Sequence, residues 1–312
     1  MSYPVREITF SISPRRWKHI WAGFLSDKLA VLAFSIFVFY CLIAMAAPLI
    51  APFDPYDTAL IDLLNAEIAP SWISGDERFL LGTDAQGRDL LSAIVYGTRT
   101  SLSIGLLAVL MQASIGICLG LISGYFGGLL DTLLMRCADI QLSFSNILIA
   151  IVLLAAIQSI FGLAYYQDHA MIMLVFILGL AEWPIFARTV RASVLAEKQK
   201  EYVDAAYLMG ISQIRIIFKH ILPNTISPLF VIFTIQIANV IVAEAALSFL
   251  GLGMPISQPS LGSLISIGFD YLFSGIWWIS VVPCAVLMLL ILVINLLGDV
   301  LKNHLNPRHY KD

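Results

Sequence analysis

The chain has 312 residues, of which 59% are hydrophobic and only 12% charged, and its formal net charge at pH 7 is -3. A typical soluble domain has about 45–50% apolar and about 25% charged residues, so this composition predicts an integral membrane protein. The 18 Lys and Arg residues are too few and too scattered to track a phosphate backbone, which excludes a nucleic-acid partner.

The first 28 residues are predicted to form a cytoplasmic N-terminal segment that lies at the membrane interface. Ser13 can cap a helix, and Pro14 suits its first position. The apolar residues that follow fall on one face, and they are Trp17, Ile20, Trp21, Phe24 and Leu25. Cations on the other face would contact anionic lipid headgroups, so membrane lipid is an expected partner of this segment.

Six apolar runs are long enough to cross a bilayer, which takes about 20 helical residues. Their approximate bounds are 29–53, 102–125, 140–166, 170–186, 226–250 and 276–297. The first run is too long for the core of a cleaved signal peptide, which has about 7–15 residues. The sequence therefore predicts an all-α membrane protein with six transmembrane helices.

Positive charge predicts the orientation of these helices, because cytoplasmic loops are enriched in Lys and Arg. Most cations lie before the first span, in a loop at 188–225, or in a tail at 301–312, whereas the 54–100 loop has three arginines among eight acidic residues. Both termini and the 188–225 loop are thus predicted to be cytoplasmic. The 54–100 loop is predicted to be periplasmic and to contain an amphipathic helix.

Glycines recur every fourth residue near the end of the second span, at Gly116, Gly120, Gly124 and Gly128. Small residues at this spacing let two membrane helices approach closely. This ridge predicts a tight contact with another helix or a shaped wall of a pathway.

Ionisable residues inside membrane spans are candidates for function. Arg136 and Asp139 are three residues apart near the start of the third span, so we expect them to form a structural ion pair. Glu182 interrupts the fourth span, and Glu244 lies deep in the fifth. Glu244 is the carboxylate most expected to have a buried role.

No catalytic or metal-binding constellation is found in the sequence. An intramembrane aspartyl protease needs two facing carboxylates, but Asp270 and Asp299 would lie on opposite sides of the membrane. The chain has no phosphate-binding loop of the type G-x-x-x-x-G-K-[ST]. Its histidines lack ligand spacing, and its four cysteines, without paired spacing, are expected to be small core residues.

The stretch at 201–224 predicts a helix, a turn at Gly210, a second helix and a stop at Pro223. Apolar residues at helical spacing would pack on the bundle, and they are Val203, Tyr207, Ile211 or Gly210, Ile214, Phe218 and Ile221. Leu208 and Met209 lie on the other side of the first helix. A cytoplasmic helix that is apolar nearly all round needs a second cover, which predicts a partner protein.

The residues "DAAYLMGISQIRIIFKHILPN" at 204–224 resemble the EAA loop of ABC importer permeases. That pattern is EAA, three residues, Gly, nine residues and then I-x-L-P. The positions that match are Asp204, Ala205, Ala206, Gly210, Leu222 and Pro223. Two positions depart from the pattern, with Asp204 in place of Glu and His220 in place of Ile.

Four other stretches, at 81–102, 135–144, 246–265 and 295–308, resemble the C-type subunit of the dipeptide and oligopeptide permease family. The first of these contains a periplasmic motif whose residues are Gly82, Thr83, Asp84, Gly87, Arg88 and Asp89. The resemblance implies the type I ABC importer permease fold, with residues 101–300 as the permease core.

The same resemblance implies the partners of the chain. A homologous permease, expected to be a different protein, would complete the pathway, and two ABC ATPase subunits would grip the loop around Tyr202, Leu208 and Met209. ATP and Mg would bind to those ATPases, so this chain is expected to hold no cofactor of its own. A periplasmic binding protein would deliver a small peptide, or in substrate variants a nickel chelate or glutathione.

An ion-driven secondary transporter or channel is the alternative function, and it would need no ATPase. The 81–99 segment also has two alternative roles, as a docking face for the binding protein or as a structural lid. Thr83 and Gln86 are expected to form a capping box there, with Leu90, Leu91, Ile94 and Val95 on the outer surface.

Overall fold

The computed structural model describes residues 27–51, 53, 55 and 63–305, and within these ranges the regular elements are helices. A single isolated bridge between Thr83 and Asp89 is the only extended pairing among them. The predicted interfacial helix and the last residues of the tail lie outside the described part of the chain.

The described residues of the first half of the chain form six α-helices, of which α4 is the longest. Their bounds are α1 Lys28–Met45, α2 Ala47–Ile50, α3 Ser71–Ser74, α4 Leu90–Phe126, α5 Gly128–Leu142 and α6 Asn146–Phe161. The Asp27 carboxylate caps α1 by accepting hydrogen bonds from the backbone N–H groups of Leu29 and Ala30. A short 3₁₀ turn, Leu63–Asn65, precedes α3.

The second half contains the polar loop and three long helices. Its α-helices are α7 Leu163–Asp168, α8 Ala170–Ala181, α9 Trp183–Lys198, α10 Glu201–Leu208, α11 Gln213–Arg215, α12 Leu222–Phe249, α13 Leu261–Phe269 and α14 Trp278–Leu305. A π-helical segment, Ile216–Ile221, joins α11 to α12, and a 3₁₀ turn, Leu272–Ser274, precedes α14.

Within the described residues, four helices, α1, α4, α12 and α14, contain stretches long and apolar enough to cross a membrane, and the number rises to six if each of two bent pairs is one span. The α5–α6 pair is bent by 97° and the α8–α9 pair by 43°. The third and fourth predicted spans are therefore broken helices. In the second pair the break comes at Glu182, two residues before Pro184 in the first turn of α9.

The second predicted span, 102–125, lies inside α4, which begins at Leu90 and runs for 37 residues. At about 1.5 Å per residue such a helix is roughly 55 Å long, well beyond the thickness of a bilayer core. Its first turns therefore replace the expected amphipathic loop helix. Leu90, Ile94 and Val95 are buried rather than on the outer surface.

The glycine ridge of α4 packs directly on α9. A Cβ added to Gly116 would lie 2.7 Å from the carbonyl oxygen of Trp183, and one on Gly120 would lie 2.6 Å from that of Ala187. Gly124 makes the same kind of contact with Val194. The predicted close helix contact is confirmed for these three glycines. Gly128 lies beyond the end of α4 and has a positive φ of 62°, and a Cβ added there would meet no other helix within 4 Å.

Two long-range hydrogen bonds define the two ends of the bundle. The Lys198 Nζ donates to the carbonyl oxygen of Tyr125 at 2.6 Å, so residues 199–221 lie where α4 ends; we call this the Gly210 end. The Arg88 guanidinium donates to the carbonyl oxygen of Ile256 at 2.8 Å, so the loop at 250–260 lies where α4 begins, at the Arg88 end.

Candidate functional site

The Gly210 end carries a short rigid hairpin made of α10, the turn at Gly210 and α11. Gly210 has φ 75°, which favours glycine, and two backbone hydrogen bonds close the turn. The N–H of Ile211 donates to the carbonyl of Ala206 at 3.2 Å, and that of Gly210 donates to Tyr207 at 3.0 Å. This is a Schellman motif, so the predicted helix break at Gly210 is confirmed with its geometry.

The hairpin exposes a large apolar surface. Leu208 is 86% exposed and Met209 is 72% exposed, and this apolar patch extends over Tyr207, Ile214 and Phe218. The residues that anchor the hairpin to the bundle are Val203, Ala206, Ile216, Ile217 and Ile221. Fixed apolar side chains that project from a bundle are typical of a protein contact surface.

The predicted packing face is therefore only partly right. Val203 and Ile221 are buried, but Tyr207, Ile214 and Phe218 point outward. For Ile214 and Phe218, a periodicity counted from Val203 runs through the left-handed turn at Gly210, which interrupts the helical phase, and the π-helical segment Ile216–Ile221 changes the phase again. Tyr207 precedes the turn, and its side chain is 62% exposed in the last turn of α10.

Pro223 does not stop the helical path, which is a further correction. The chain stays helical from Gln213 through the π-helical segment into α12, and Pro223 lies in the first turn of α12. The wider π turn accommodates the proline ring and its missing N–H group. The side chain of Asn224 donates to the carbonyl oxygen of His220 at 2.9 Å, one turn earlier in the same helical path.

Tyr202 ties the hairpin to the helices on both sides of it. Its hydroxyl donates to the Glu197 carboxylate at 2.6 Å and accepts from the Asn224 side chain at 3.1 Å. Burial, together with the hydrogen bond to Glu197, raises the pKa of Tyr202 to about 12, so the hydroxyl remains a donor at neutral pH. Sequence reasoning missed Glu197 and Asn224, which no local motif marks.

Of the other residues of the predicted loop motif, some are exposed and others pack against the bundle. Asp204 and Ala205 are exposed beside Leu208, whereas Ala206 packs against the bundle. Leu222 is half-buried and Pro223 is exposed. Only part of the motif therefore lies on the outer surface of the hairpin.

At the Arg88 end the predicted periplasmic motif forms a compact turn in front of α4. Gly82 has φ 82°, and an added Cβ would lie 2.5 Å from the carbonyl oxygen of Ile68. The Thr83 hydroxyl donates to the carbonyl of Asn65 at 2.6 Å and accepts from the N–H of Ile68 at 2.8 Å. Thr83 thus holds the preceding loop, and the expected capping box with Gln86 is wrong.

A buried ion pair lies at the centre of this turn. The Arg88 and Asp84 side chains are 3% and 1% exposed and are joined at 2.7 Å. Asp84 also accepts from the backbone of Gln86 and Arg88, while the N–H of Gly87 donates to the Asp84 carbonyl. Asp89 caps α4 by accepting from the N–H of Ser92 at 2.8 Å. The motif therefore fixes the start of α4 and, through Arg88, the loop at Ile256.

The predicted ion pair between Arg136 and Asp139 is wrong. Asp139 pairs with Arg188 on α9, and Asp131 pairs with Arg191 at 2.5 Å. Arg136 is exposed and has no ion pair among the described residues. Both observed pairs join α5 to α9, so these charges hold two helices together near the Gly210 end.

Glu182, 7% exposed, lies in a polar network at the break between α8 and α9. Its carboxylate accepts hydrogen bonds from the side chains of Asn146 on α6 and Gln236 on α12, the latter at 2.5 Å. The break also frees backbone carbonyls, and Gln141 donates to those of Leu180 and Ala181 at 2.6 and 2.8 Å. Sequence reasoning found the carboxylate but not the amide side chains that surround it.

Glu244 is completely buried among serines. It accepts from Ser248 at 2.7 Å on its own helix and from Ser101 of α4 at 3.2 Å. Ser101 in turn accepts from the N–H of Leu261 at the start of α13. The predicted burial of Glu244 is confirmed, and the carboxylate joins three helices; a part in transport stays a prediction.

The expected core positions of the cysteines are wrong in two cases, because Cys118 and Cys137 are exposed. Both lie on apolar helix faces, where a thiol behaves as a small hydrophobic group. The described residues contain no cluster of three or more His, Cys, Asp or Glu that could hold a metal ion.

Two family models match the chain. Residues 116–309 match the binding-protein-dependent transport system inner membrane component, and residues 15–67 match the N-terminal TM domain of oligopeptide transport permease C. The first match covers the Glu182 network, the Gly210 hairpin and Glu244, but not Ser101.

Curated relatives are similar over nearly the whole chain. The dipeptide transport system permease protein DppC of Haemophilus influenzae is 35% identical, over 93% of this chain and 94% of its own length. A di/tripeptide permease of Pseudomonas aeruginosa is 36% identical over 95% and 94%. The glutathione transport system permease protein GsiD of Pectobacterium atrosepticum is 34% identical over 94% and 90%.

A solved structure has a similar fold. A chain of the MetNI methionine ABC transporter, in an inward-facing conformation, superposes with a TM-score of 0.54 at 21% identity. It covers 69% of this chain and 97% of its own length.

Proposed function

Because the chain belongs to the family of binding-protein-dependent transport system inner membrane components, we propose that it forms one half of a transmembrane pathway for small peptides. A homologous permease, different from this chain, supplies the other half. The relatives that carry dipeptides, di- and tripeptides or glutathione support this substrate class.

The proposed topology has six spans with both termini in the cytoplasm, in the type I importer arrangement. The α5–α6 and α8–α9 pairs each count as one span. The Gly210 end is then cytoplasmic and the Arg88 end periplasmic, as the distribution of Lys and Arg favours. Residues 54–100 form the periplasmic segment, and 101–300 are the permease core.

Energy enters at the Gly210 end in this proposal. Two ABC ATPase subunits bind ATP and Mg, and a groove on one of them receives the hairpin of this chain. The observation that carries this assignment is the rigid, exposed pair Leu208 and Met209 beside the Schellman turn. Tyr202 and the anchored residues under the hairpin would transmit its movement to α9 and α12.

Solute enters at the Arg88 end, where a periplasmic binding protein delivers it. The turn at Gly82–Asp89 fixes the start of α4 and the loop around Ile256. These contacts support a firm platform for the binding protein at that end.

The experiment that tests this function is co-purification of the tagged chain from its native membrane, with mass spectrometry of the proteins it retains. The expected result is a complex with a second permease and ABC ATPases. Leu208→Glu places a charge in the apolar patch and should release the ATPases while the second permease stays bound.

Leu80→Glu is the matched control, because Leu80 is also exposed and apolar but lies near the Arg88 end. It should retain the ATPases. A Leu208→Glu complex with the full amount of ATPase would show that the hairpin is not the attachment point.

A further inference from the structure

A cavity of about 700 Å³ opens at the Arg88 end. One wall is made by the end of α6 and by α7, and the other by the loop at 251–258 and by α13. Its volume falls within the range of about 300–1,000 Å³ that small-molecule sites occupy. Six of its polar lining residues are Gln158, Asp168, Gln258, Ser263, Ser266 and Asp270.

Hydrogen bonds hold the walls of the cavity in place. The Tyr166 hydroxyl reaches across it and donates to the carbonyl oxygens of Leu252 and Gly253, each at 3.1 Å. Arg88 fixes the same loop at Ile256. The loop also presses on α12, since a Cβ on Gly253 would lie 2.5 Å from the Cα of Ser248. The cavity is therefore a preformed feature.

The cavity wall includes Ser248, the serine that donates to Glu244. The hydroxyl of Ser248 also accepts from the N–H of Met254 at 3.3 Å. Ser263, another lining residue, forms a capping box with Ser260 at the start of α13. The base is thus a neutral hydroxyl surface backed by a buried carboxylate.

The charged residues that line the cavity are all acidic. Asp168 and Asp270 are exposed at its edge, and neither side chain makes an ion pair or a hydrogen bond with another described residue. No Lys or Arg is among the described residues that line it. The amides of Gln158, Gln167 and Gln258 also lack partners within the described chain. This set suits a ligand with a cationic group and with amide groups that can donate and accept.

We propose that this cavity is a binding station for the incoming solute, and that Asp168 and Asp270 attract the ammonium group of a short peptide. The proposal rests on the proposed function and deepens it. The glutamine amides bind the peptide backbone, and the hydroxyls of Ser263 and Ser266 contact the part of the solute that reaches the base.

The first test uses the whole transporter in proteoliposomes, with its ATPases and binding protein. Uptake of a dipeptide with a free amino terminus is compared with uptake of the N-acetylated dipeptide. Asp168→Asn combined with Asp270→Asn should lower the preference for the free ammonium by about fivefold, since each partly exposed ion pair contributes modestly.

Glu77→Gln is the control, because Glu77 is an exposed carboxylate near the same end and outside the cavity. It should keep the wild-type preference. If the double variant also keeps it, the cavity does not select the ammonium group and the inference is wrong. If the wild-type complex imports neither peptide with ATP, the proposed function itself fails.

The second test identifies the occupant even if the double variant assembles poorly. Gln258→Cys is placed in a chain whose four cysteines, none of which lines the cavity, are replaced. Labelling of this thiol in the whole transporter should slow when the free dipeptide is present with the binding protein. Equal protection by the second permease alone or by the empty binding protein would mark the cavity as a protein contact and overturn the proposal.

Discussion

Gly120→Ala tests the close contact between α4 and α9. The added Cβ would lie 2.6 Å from the carbonyl oxygen of Ala187 and 2.7 Å from the Cβ of Val190. Ordinary contact begins near 3.4 Å, so α4 and α9 would have to separate by about 0.8 Å. The neighbouring contacts of Gly116 and Gly124 would loosen with them, because all three glycines face the same helix.

The expected cost follows from two opposing effects. Overpacking of this kind costs about 1–3 kcal/mol, whereas alanine gains at most about 1 kcal/mol over glycine in helix propensity. We therefore expect a net loss of roughly 1–2 kcal/mol in the free energy of unfolding. In detergent, thermal unfolding followed by circular dichroism should shift down by a few degrees.

Gly179→Ala is the matched control on α8. Its Cβ would meet the Met111 side chain, with the sulfur at 2.7 Å. A flexible thioether can rotate away where a backbone carbonyl cannot, so this variant should unfold near the wild-type temperature. An unfolding temperature for Gly120→Ala at or above that of Gly179→Ala would refute the close backbone contact.

Three further predictions concern buried charge and the hairpin. Arg88→Ala leaves Asp84 buried and unpaired, a change that costs about 3–5 kcal/mol. The yield of folded chain in detergent should therefore collapse. Arg78→Ala is the control, because it breaks only an exposed ion pair and should leave the yield unchanged. Glu244→Ala removes the acceptor of two serine hydroxyls, and transport by the assembled complex should fall; normal transport would show that the carboxylate is merely tolerated. Gly210→Glu forces a residue with a side chain into a positive φ and puts a charge beside the apolar patch. Solute-stimulated ATP hydrolysis and solute uptake should therefore both drop. Wild-type rates of hydrolysis and uptake would contradict the coupling role.

Local signals in the sequence predicted the elements that depend on nearby residues. Apolar runs gave the helical class, and the glycine spacing gave the contact between α4 and another helix. Gly210 marked a real turn because a left-handed conformation at the end of a helix needs glycine. The family motifs were also local, and the family is confirmed by the matches over 116–309 and 15–67.

Features that depend on distant residues could not be predicted in this way. Asp139 has Arg136 three residues away, yet it pairs with Arg188, because the fold brings α9 against α5. The partners of Glu182, on α6 and α12, are likewise far away in the chain. Ile214 and Phe218 lie beyond the turn at Gly210, and a helical periodicity counted from Val203 does not include that turn.

In the proposed mechanism, energy reaches this chain from ATPases bound at the Gly210 end. Uptake of a labelled dipeptide into proteoliposomes that contain the complete complex and the binding protein measures this most directly. We expect uptake that requires ATP hydrolysis, persists when ion gradients are abolished, and disappears with Leu208→Glu. Uptake by the permeases alone, driven by an ion gradient and unaffected by ATP depletion, would contradict it and would favour an ion-driven carrier or channel.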